Sequence, residues 1–326
     1  MHQNSGPTAV IPSWFKLLTA ALVALRILGF NAQNQEHKSG INWQKPIEPK
    51  VTDDITTSPY LFEFSADWCK PCKQLEEKVF TNAEVIKLIN DQFIPVRLQD
   101  RQKEDGKNSP VVASLESRYR VFGFPTLIVA LPNGELISQN VGVPSSFDVH
   151  TWLLNALKLA NYNRGLLQLI AADPQRAHAS FQKVLTKPDW TSSKAKYAAA
   201  FLFVCQELVS GPMNKSRPQD TPEGKLVVDA SSTTLIPWPG PILKYLAGDM
   251  TTEQLLASTH EEQDELTEAR CFIALDLLAA KKTEEAIQNF QWIKDHGNHD
   301  YQTYKIAVVF LERLTEEKKS ESTQSK

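Results

Sequence analysis

Trp68-Cys69-Lys70-Pro71-Cys72-Lys73 decides how the rest of the chain is read. An apolar run, Tyr60-Leu61-Phe62-Glu63-Phe64, precedes it, and a helix-like segment, Gln74 to Val79, follows. Two thiols separated by two residues, where a buried strand gives way to a helix, make a reversible disulfide. Unpaired N–H groups and the dipole at a helix start favour a thiolate on the first sulfur, that of Cys69. This thiolate is expected to be the exposed nucleophile of disulfide exchange, and Cys72, one turn further in, the resolving thiol. Lys70 places a positive charge beside Cys69 and should lower its pKa. Pro71, in the first turn, keeps the helix start rigid. No cofactor is implied, since the electrons reside on the cysteine pair.

The competing reading of Cys-x-x-Cys is half of a structural zinc site. Such a site needs four ligands, usually from a second Cys pair or a His pair. The other two cysteines, Cys205 and Cys271, are far apart and each lies in an apolar helical pattern. No His pair has ligand spacing. Redox chemistry is therefore favoured over metal, and Cys205 and Cys271 read as small buried hydrophobes.

A chain of 326 residues has room for about two domains. Its net charge of −3 gives no reason to expect nucleic acid as a partner. Four cysteines are too few for a disulfide-stapled fold. Residues 14–30, WFKLLTAALVALRILGF, would span roughly 25 Å as a helix, slightly short of a bilayer core. Lys16 precedes the most apolar part, and Arg26 lies near enough to the end to snorkel. Phe30-Asn31-Ala32 is a poor cleavage site. Residues 1–30 are thus expected to be a signal or membrane anchor, with an amphipathic helix or a misassigned start as the alternative. Export would place Cys69 and Cys72 outside the cytoplasm, in the periplasm or another extracytoplasmic space. An anchor would tether the protein to the membrane through residues 14–30.

Residues 31–40 read as a polar linker, with a short first element near Val51 to Thr57. Tyr60 to Ser65 suits a central strand covered on both faces. Thr81-Asn82-Ala83-Glu84 has the form of a capping box opening a helix to Asn90. Phe93 to Leu98 is the next strand. Arg101 to Asn108 reads as a charged, solvated loop. Ser109 caps a helix with Pro110 at its first position, running to about Tyr119. Thr126 to Leu131 and Leu136 to Val141 form a hairpin, and Ser145-Ser146 opens a closing helix, Phe147 to Ala160. The order is β-α-β-α-β-β-α, with the first two strands parallel.

Ala66-Asp67-Trp68-Cys69-Lys70-Pro71-Cys72-Lys73 resembles the active-site turn of the thioredoxin family. Glu63 falls where that family keeps a buried acid. Val121-Phe122-Gly123-Phe124-Pro125-Thr126 looks like the loop carrying its cis-proline. Pro132-Asn133-Gly134-Glu135 looks like its hairpin turn, and Gly142 ends the last strand as in the family. The resemblance covers Ile41 to Ala160 and implies an α/β thioredoxin-like domain over 41–160. It implies that Pro125 sets a backbone edge opposite the disulfide, where an extended substrate segment can pair. Trp68 would offer a flat apolar surface beside the thiols, and Phe124 would touch substrate. Glu63, in an apolar strand, is expected to be buried, where an uncompensated carboxylate is raised in pKa by desolvation and can take the Cys72 proton; the alternative is an acid at an exposed strand end. Three residues depart from the family: Lys70 stands where Gly is commonest, Glu63 where Asp is, and Phe124 where a small or β-branched residue is usual. The Asp67-Trp68 lead-in is similar to the periplasmic electron-delivering domain of bacterial disulfide interchange proteins, which favours reduction. The implied partners are protein disulfide substrates and an electron-donor thiol protein. The alternative is a non-catalytic binding module on a helical scaffold.

From Asn161 the chain reads as all-α. Gly165, Ala177, Phe181, Val184 and Pro188, and again Ala274, Leu277, Ala286, Phe290 and Ile293, fall at offsets resembling a tetratricopeptide repeat. A repeat-like helical domain is expected over 161–315, with a surface for a protein partner. Gly211 to Gly240 reads as irregular, and 316–326 as a disordered tail.

Overall fold

The sheet has four strands: β1 (Tyr60–Ala66), β2 (Ile94–Asp100), β3 (Thr126–Ala130) and β4 (Leu136–Val141). Their order is β2-β1-β3-β4, with β1 parallel to β2 and antiparallel to β3, and β4 antiparallel to β3. A computed structural model of the chain describes residues 40–49, 58–232 and 237–324. The expected signal or anchor, the linker up to residue 39 and the element at Val51 to Thr57 lie outside the described residues. Among the described residues, no helix is long and apolar enough to cross a membrane.

All of β1 is buried, as a strand covered on both faces requires. Its side chains alternate between two cores. Leu61 faces one core with Leu127 and Val129, under α1 (Lys70–Lys78), α2 (Ala83–Gln92) and the start of α5 (Ser146–Ile170). Phe62 and Phe64 face the other core with Val96, Leu98 and Ile128, under α4 (Pro110–Arg118). The chain before the sheet also contributes. Gln44 N donates to Pro95 O, and Arg97 N donates back to Gln44 O, extending the β2 edge.

Several local expectations shift. The cap of α2 is Asn82, not Thr81: Asn82 Oδ1 accepts from Glu84 N and Val85 N, while Thr81 donates to Glu77 O. The charged stretch after β2 is not a free loop. It forms a short turn of helix, α3 (Gln102–Asp105), closed by Gly106 in the left-handed region. Asn108 staples it, donating to Asp100 and Glu116 and accepting from Arg101 N. Ser109 caps α4 with Pro110 in its first turn, as the sequence implies. Ser145 and Asp148 form a capping box at the start of α5. This helix does not stop at Ala160 but runs on to Ile170, because Leu166 and Leu169 bury in the next core.

Beyond it the chain is helical: α6 (Pro174–Val184), α7 (Ser193–Ser210), α8 (Pro222–Ser231), α9 (Gly240–Leu246), α10 (Thr252–Ala257), α11 (Gln263–Ala279), α12 (Thr283–His296) and α13 (Gln302–Gln324). The two expected helix pairs form. Phe181 of α6 packs so close to α5 that a Cβ on Gly165 would lie 2.7 Å from its ring. Ala274, Ala286, Phe290 and Ile293 are buried together between α11 and α12. Between the pairs lie helices of 18, 10, 7 and 6 residues, so no constant repeat period joins them. Two stretches are more ordered than expected. Thr221 caps α8 with Pro222 in its first turn and accepts from Gly224 N, inside the segment read as irregular. Helix α13 continues through most of the stretch read as a disordered tail, held to α12 by Lys318 and Glu284 at 2.8 Å.

Candidate active site

Cys69 is the N-cap of α1 and Cys72 lies in its first turn, and the two are joined as a disulfide with Cα atoms 5.3 Å apart. Cys69 Sγ accepts from Cys72 N at 3.1 Å. A helix-start N–H is therefore already aimed at the first sulfur, which is the geometry that stabilises a thiolate once the bond is reduced.

The expectation that Cys69 is exposed fails. Cys69 is 2% and Cys72 4% accessible. The cause is Phe124, which packs on a small cluster of Ala66, Cys69 and Cys72. The bulk that departs from the family thus covers the disulfide. The Phe124–Pro125 peptide is cis, as the resemblance implies. Gly142 N donates to Pro125 O, and Thr126 Oγ1 to Gly123 O, which fix this loop to the last strand and to itself.

The cover continues outward. Trp68 meets Phe124 edge-on at 6.0 Å, and Lys103 Nζ lies 3.5 Å over the Trp68 ring. Asp67 accepts from Gln99 Nε2 at 2.9 Å and from Arg101 Nη1 at 2.7 Å. The stretch read as a solvated loop is therefore clamped to the active-site turn at two successive residues. Trp68 remains 46% accessible, and Phe122, beside the cis-proline loop, is 94% accessible. Lys70 is exposed on α1, at the rim.

Glu63 is buried in β1, as expected, but it is not uncompensated. Parallel pairing sets Glu63 beside Arg97, whose Nε lies 2.6 Å from Glu63 Oε2. Arg97 also reaches Glu76 Oε1 at 3.1 Å and stacks over Trp43 at 4.7 Å. Glu76 lies four residues after Cys72 on the same helix face. The ion pair thus joins β1 to the thiol-bearing helix from beneath. Burial still dominates: desolvation holds the Glu63 carboxyl above its ordinary value, although Arg97 pulls it down.

The site brings together Cys69, Cys72, Trp68, Phe124 and Pro125, with Glu63 in the strand below. Sequence reasoning missed Arg97, Arg101, Lys103 and Phe122. Arg97 carried a signal, as the lone cation inside an apolar strand. Arg101 and Lys103 depend on how α3 folds back, and Phe122 lies in the cis-proline loop itself.

Residues 55–158 match the family model of the thioredoxin-like domain. The chain carries a thioredoxin-like domain. This domain is similar to part of the thiol:disulfide interchange protein DsbD of Klebsiella pneumoniae subsp. pneumoniae, at 26% identity over 130 residues. The match takes in 38% of this chain and 21% of the relative, so the chain spans about a fifth of the length of that protein. Among solved structures, the DsbH oxidoreductase aligns at 20% identity and a TM-score of 0.33, covering 42% of this chain and 99% of that one. The DsbD C-terminal domain of Neisseria meningitidis, in its oxidised form, aligns at 19% identity and a TM-score of 0.26, covering 45% and 99%. In this domain the paired Cys69 and Cys72 lie at the start of α1.

Proposed function

We propose that the protein is a thiol-disulfide oxidoreductase that reduces protein disulfides. The observation that carries this reading is the Cys69–Cys72 disulfide at the start of α1, capped by a loop with a cis X-Pro bond. In the reduced enzyme, the Cys69 thiolate attacks a substrate disulfide. One substrate sulfur bonds to Cys69 and the other leaves as a thiol. Cys72 then attacks Cys69, releasing the second substrate thiol and closing the enzyme disulfide. An electron-donor thiol protein reverses the enzyme's oxidation. Glu63 is the group suited to take the Cys72 proton, since burial keeps its carboxyl raised. Trp68, Phe124 and the Pro125 edge would receive the substrate, and Lys70 would favour the Cys69 thiolate. The reading as a mere binding module leaves the bonded thiols and the buried acid without a role.

The apolar run at residues 14–30 supports a place outside the cytoplasm, tethered to the membrane. The separate helical region supports a role in holding a protein partner. Replacing Cys72 with Ser should leave substrates trapped on Cys69 as mixed disulfides, whereas Cys69→Ser should trap almost none. Equal trapping by the two variants would refute the division of labour. The direction of flux is read from the Cys69–Cys72 potential: about −270 mV suits a reductant and about −120 mV an oxidant.

A further inference from the structure

Positive charge is held at both residues that bracket Cys69 in the chain. Lys70 follows it, exposed at the start of α1. Trp68 precedes it, and Lys103 Nζ of α3 lies 3.5 Å over the Trp68 ring. Neither lysine forms an ion pair with another described residue.

The acids around them are committed. Asp67 and Asp105 both lie against Arg101, at 2.7 and 3.0 Å. Glu63 and Glu76 both lie against Arg97, at 2.6 and 3.1 Å. Of the described acids on the active-site turn and α3, Glu104 alone is left without an ion pair. The chain as a whole carries a net charge of −3, so unpaired cations gathered at the disulfide run against its overall charge.

Lys103 is also pre-positioned. The ring face of Trp68 attracts its ammonium, and Trp68 is itself set edge-on against Phe124. An ammonium has three N–H donors, and the ring face leaves those on its outer side free. A carboxylate brought in beside a substrate cysteine meets Lys70 or Lys103 without breaking an existing ion pair. A substrate lysine in the same place meets like charge on both sides of Cys69.

We propose that Lys103 and Lys70 select protein disulfides whose cysteine has Asp or Glu as an immediate neighbour. The proposal rests on the reading of Cys69–Cys72 as a substrate-reducing centre and names the substrate class of that centre. Lys103 sets specificity and takes no part in the sulfur exchange.

The test uses the full chain, reduced with dithiothreitol and then freed of it. The substrates are the disulfide-linked dimers of acetyl-Glu-Cys-Glu-amide, acetyl-Gln-Cys-Gln-amide and acetyl-Lys-Cys-Lys-amide. In each reaction the two enzyme thiols pass two electrons to the peptide disulfide and become bonded, and both peptides leave as thiols. Quenched flow with chromatography of the freed peptide gives the second-order rates. At low salt the Glu dimer should react about tenfold faster than the Lys dimer, with the Gln dimer between them. A free thiolate has the opposite preference, since it is drawn to cations. The Glu-to-Lys rate ratio should shrink about threefold in roughly 0.5 M NaCl. Lys103→Gln should lower it about threefold, and Lys103→Glu about tenfold. How firmly Trp68 and α3 lie as a lid over the disulfide alters all three rates alike, so the ratio reports charge. Equal rates for the three dimers, a faster Lys dimer, or a ratio unchanged in both Lys103 variants would overturn the proposal and leave the reductase reading standing. Failure to reduce any of the dimers would overturn both.

Discussion

The molecule holds two pairs of cysteines in two settings, and they are almost equally hidden. Cys69 and Cys72 are 2% and 4% accessible, while Cys205 of α7 and Cys271 of α11 are 0%. Burial therefore does not separate them. Position along the helix does. Cys69 caps a helix and receives its free N–H, whereas Cys205 and Cys271 sit mid-helix, where every nearby N–H is already committed. Burial pushes both of these thiols up, and the nearby Glu268 charge pushes Cys271 further. A covered sulfur is set up for chemistry when it stands at a helix start and receives its free N–H, and is inert when it is packed mid-helix among alanines and phenylalanines.

The largest effect that could break this comparison is in alkylation. In the reduced protein at neutral pH, iodoacetamide should modify Cys69 at least about a hundredfold faster than Cys205 or Cys271. A mass-spectrometric time course reads this directly. Similar rates at all sites would mean that the helix start gives no advantage.

A smaller effect separates the buried acids. Glu63 has Arg97 against it, while burial and the Asp276 charge push Glu207 up to about 8. Unfolded, Glu207 titrates in the ordinary carboxylate range. Above that range the unfolded chain has lost a proton that the native chain keeps, so this contribution is full at low pH and is lost as pH rises towards about 8. The thermal midpoint should fall between roughly pH 5 and pH 8.5, and Glu207→Gln should flatten much of that fall. An unchanged slope in the variant would show that Glu207 is not its source.

The smallest effect concerns the lid. An exposed cation–π contact contributes about 0.5–1 kcal/mol, so Lys103→Ala should speed reduction of the disulfide by dithiothreitol about two- to fivefold. Stopped-flow tryptophan fluorescence can follow it. A rate unchanged or slowed would show that Lys103 does not hold Trp68 over the site.

The sequence showed the thiol pair, the strand below it and the cis-proline loop plainly, because each is a local pattern of a few residues. Glu63 was placed correctly as a buried acid, yet its partner was not, since Arg97 meets it only through the pairing of two distant strands. The lid was hidden for a similar reason. Nothing in Arg101 to Asn108 announces that Asn108 will fold the stretch back onto Asp67 and Trp68. Helix α8 was legible in principle, as Thr221-Pro222-Glu223 is a cap, a first-turn proline and an acid in order. The surrounding Pro, Ser and Thr masked it. At α2, Asn82 displaced Thr81 as the cap because its amide oxygen accepts from two N–H groups at once, while the Thr81 hydroxyl turns back to Glu77 O.

Helix α5 passes from the sheet to the helical region without a break, 25 residues in one rod. At about 1.5 Å per residue it is roughly 37 Å long. A rod with no joint acts as a ruler. A partner held by the helical region, as proposed above, would be presented to the disulfide at a set distance and angle, not swung towards it on a tether. Selection among partners could then rest on where a target's own disulfide lies relative to the part being held, so that geometry measured along α5 filters substrates before any sulfur reacts.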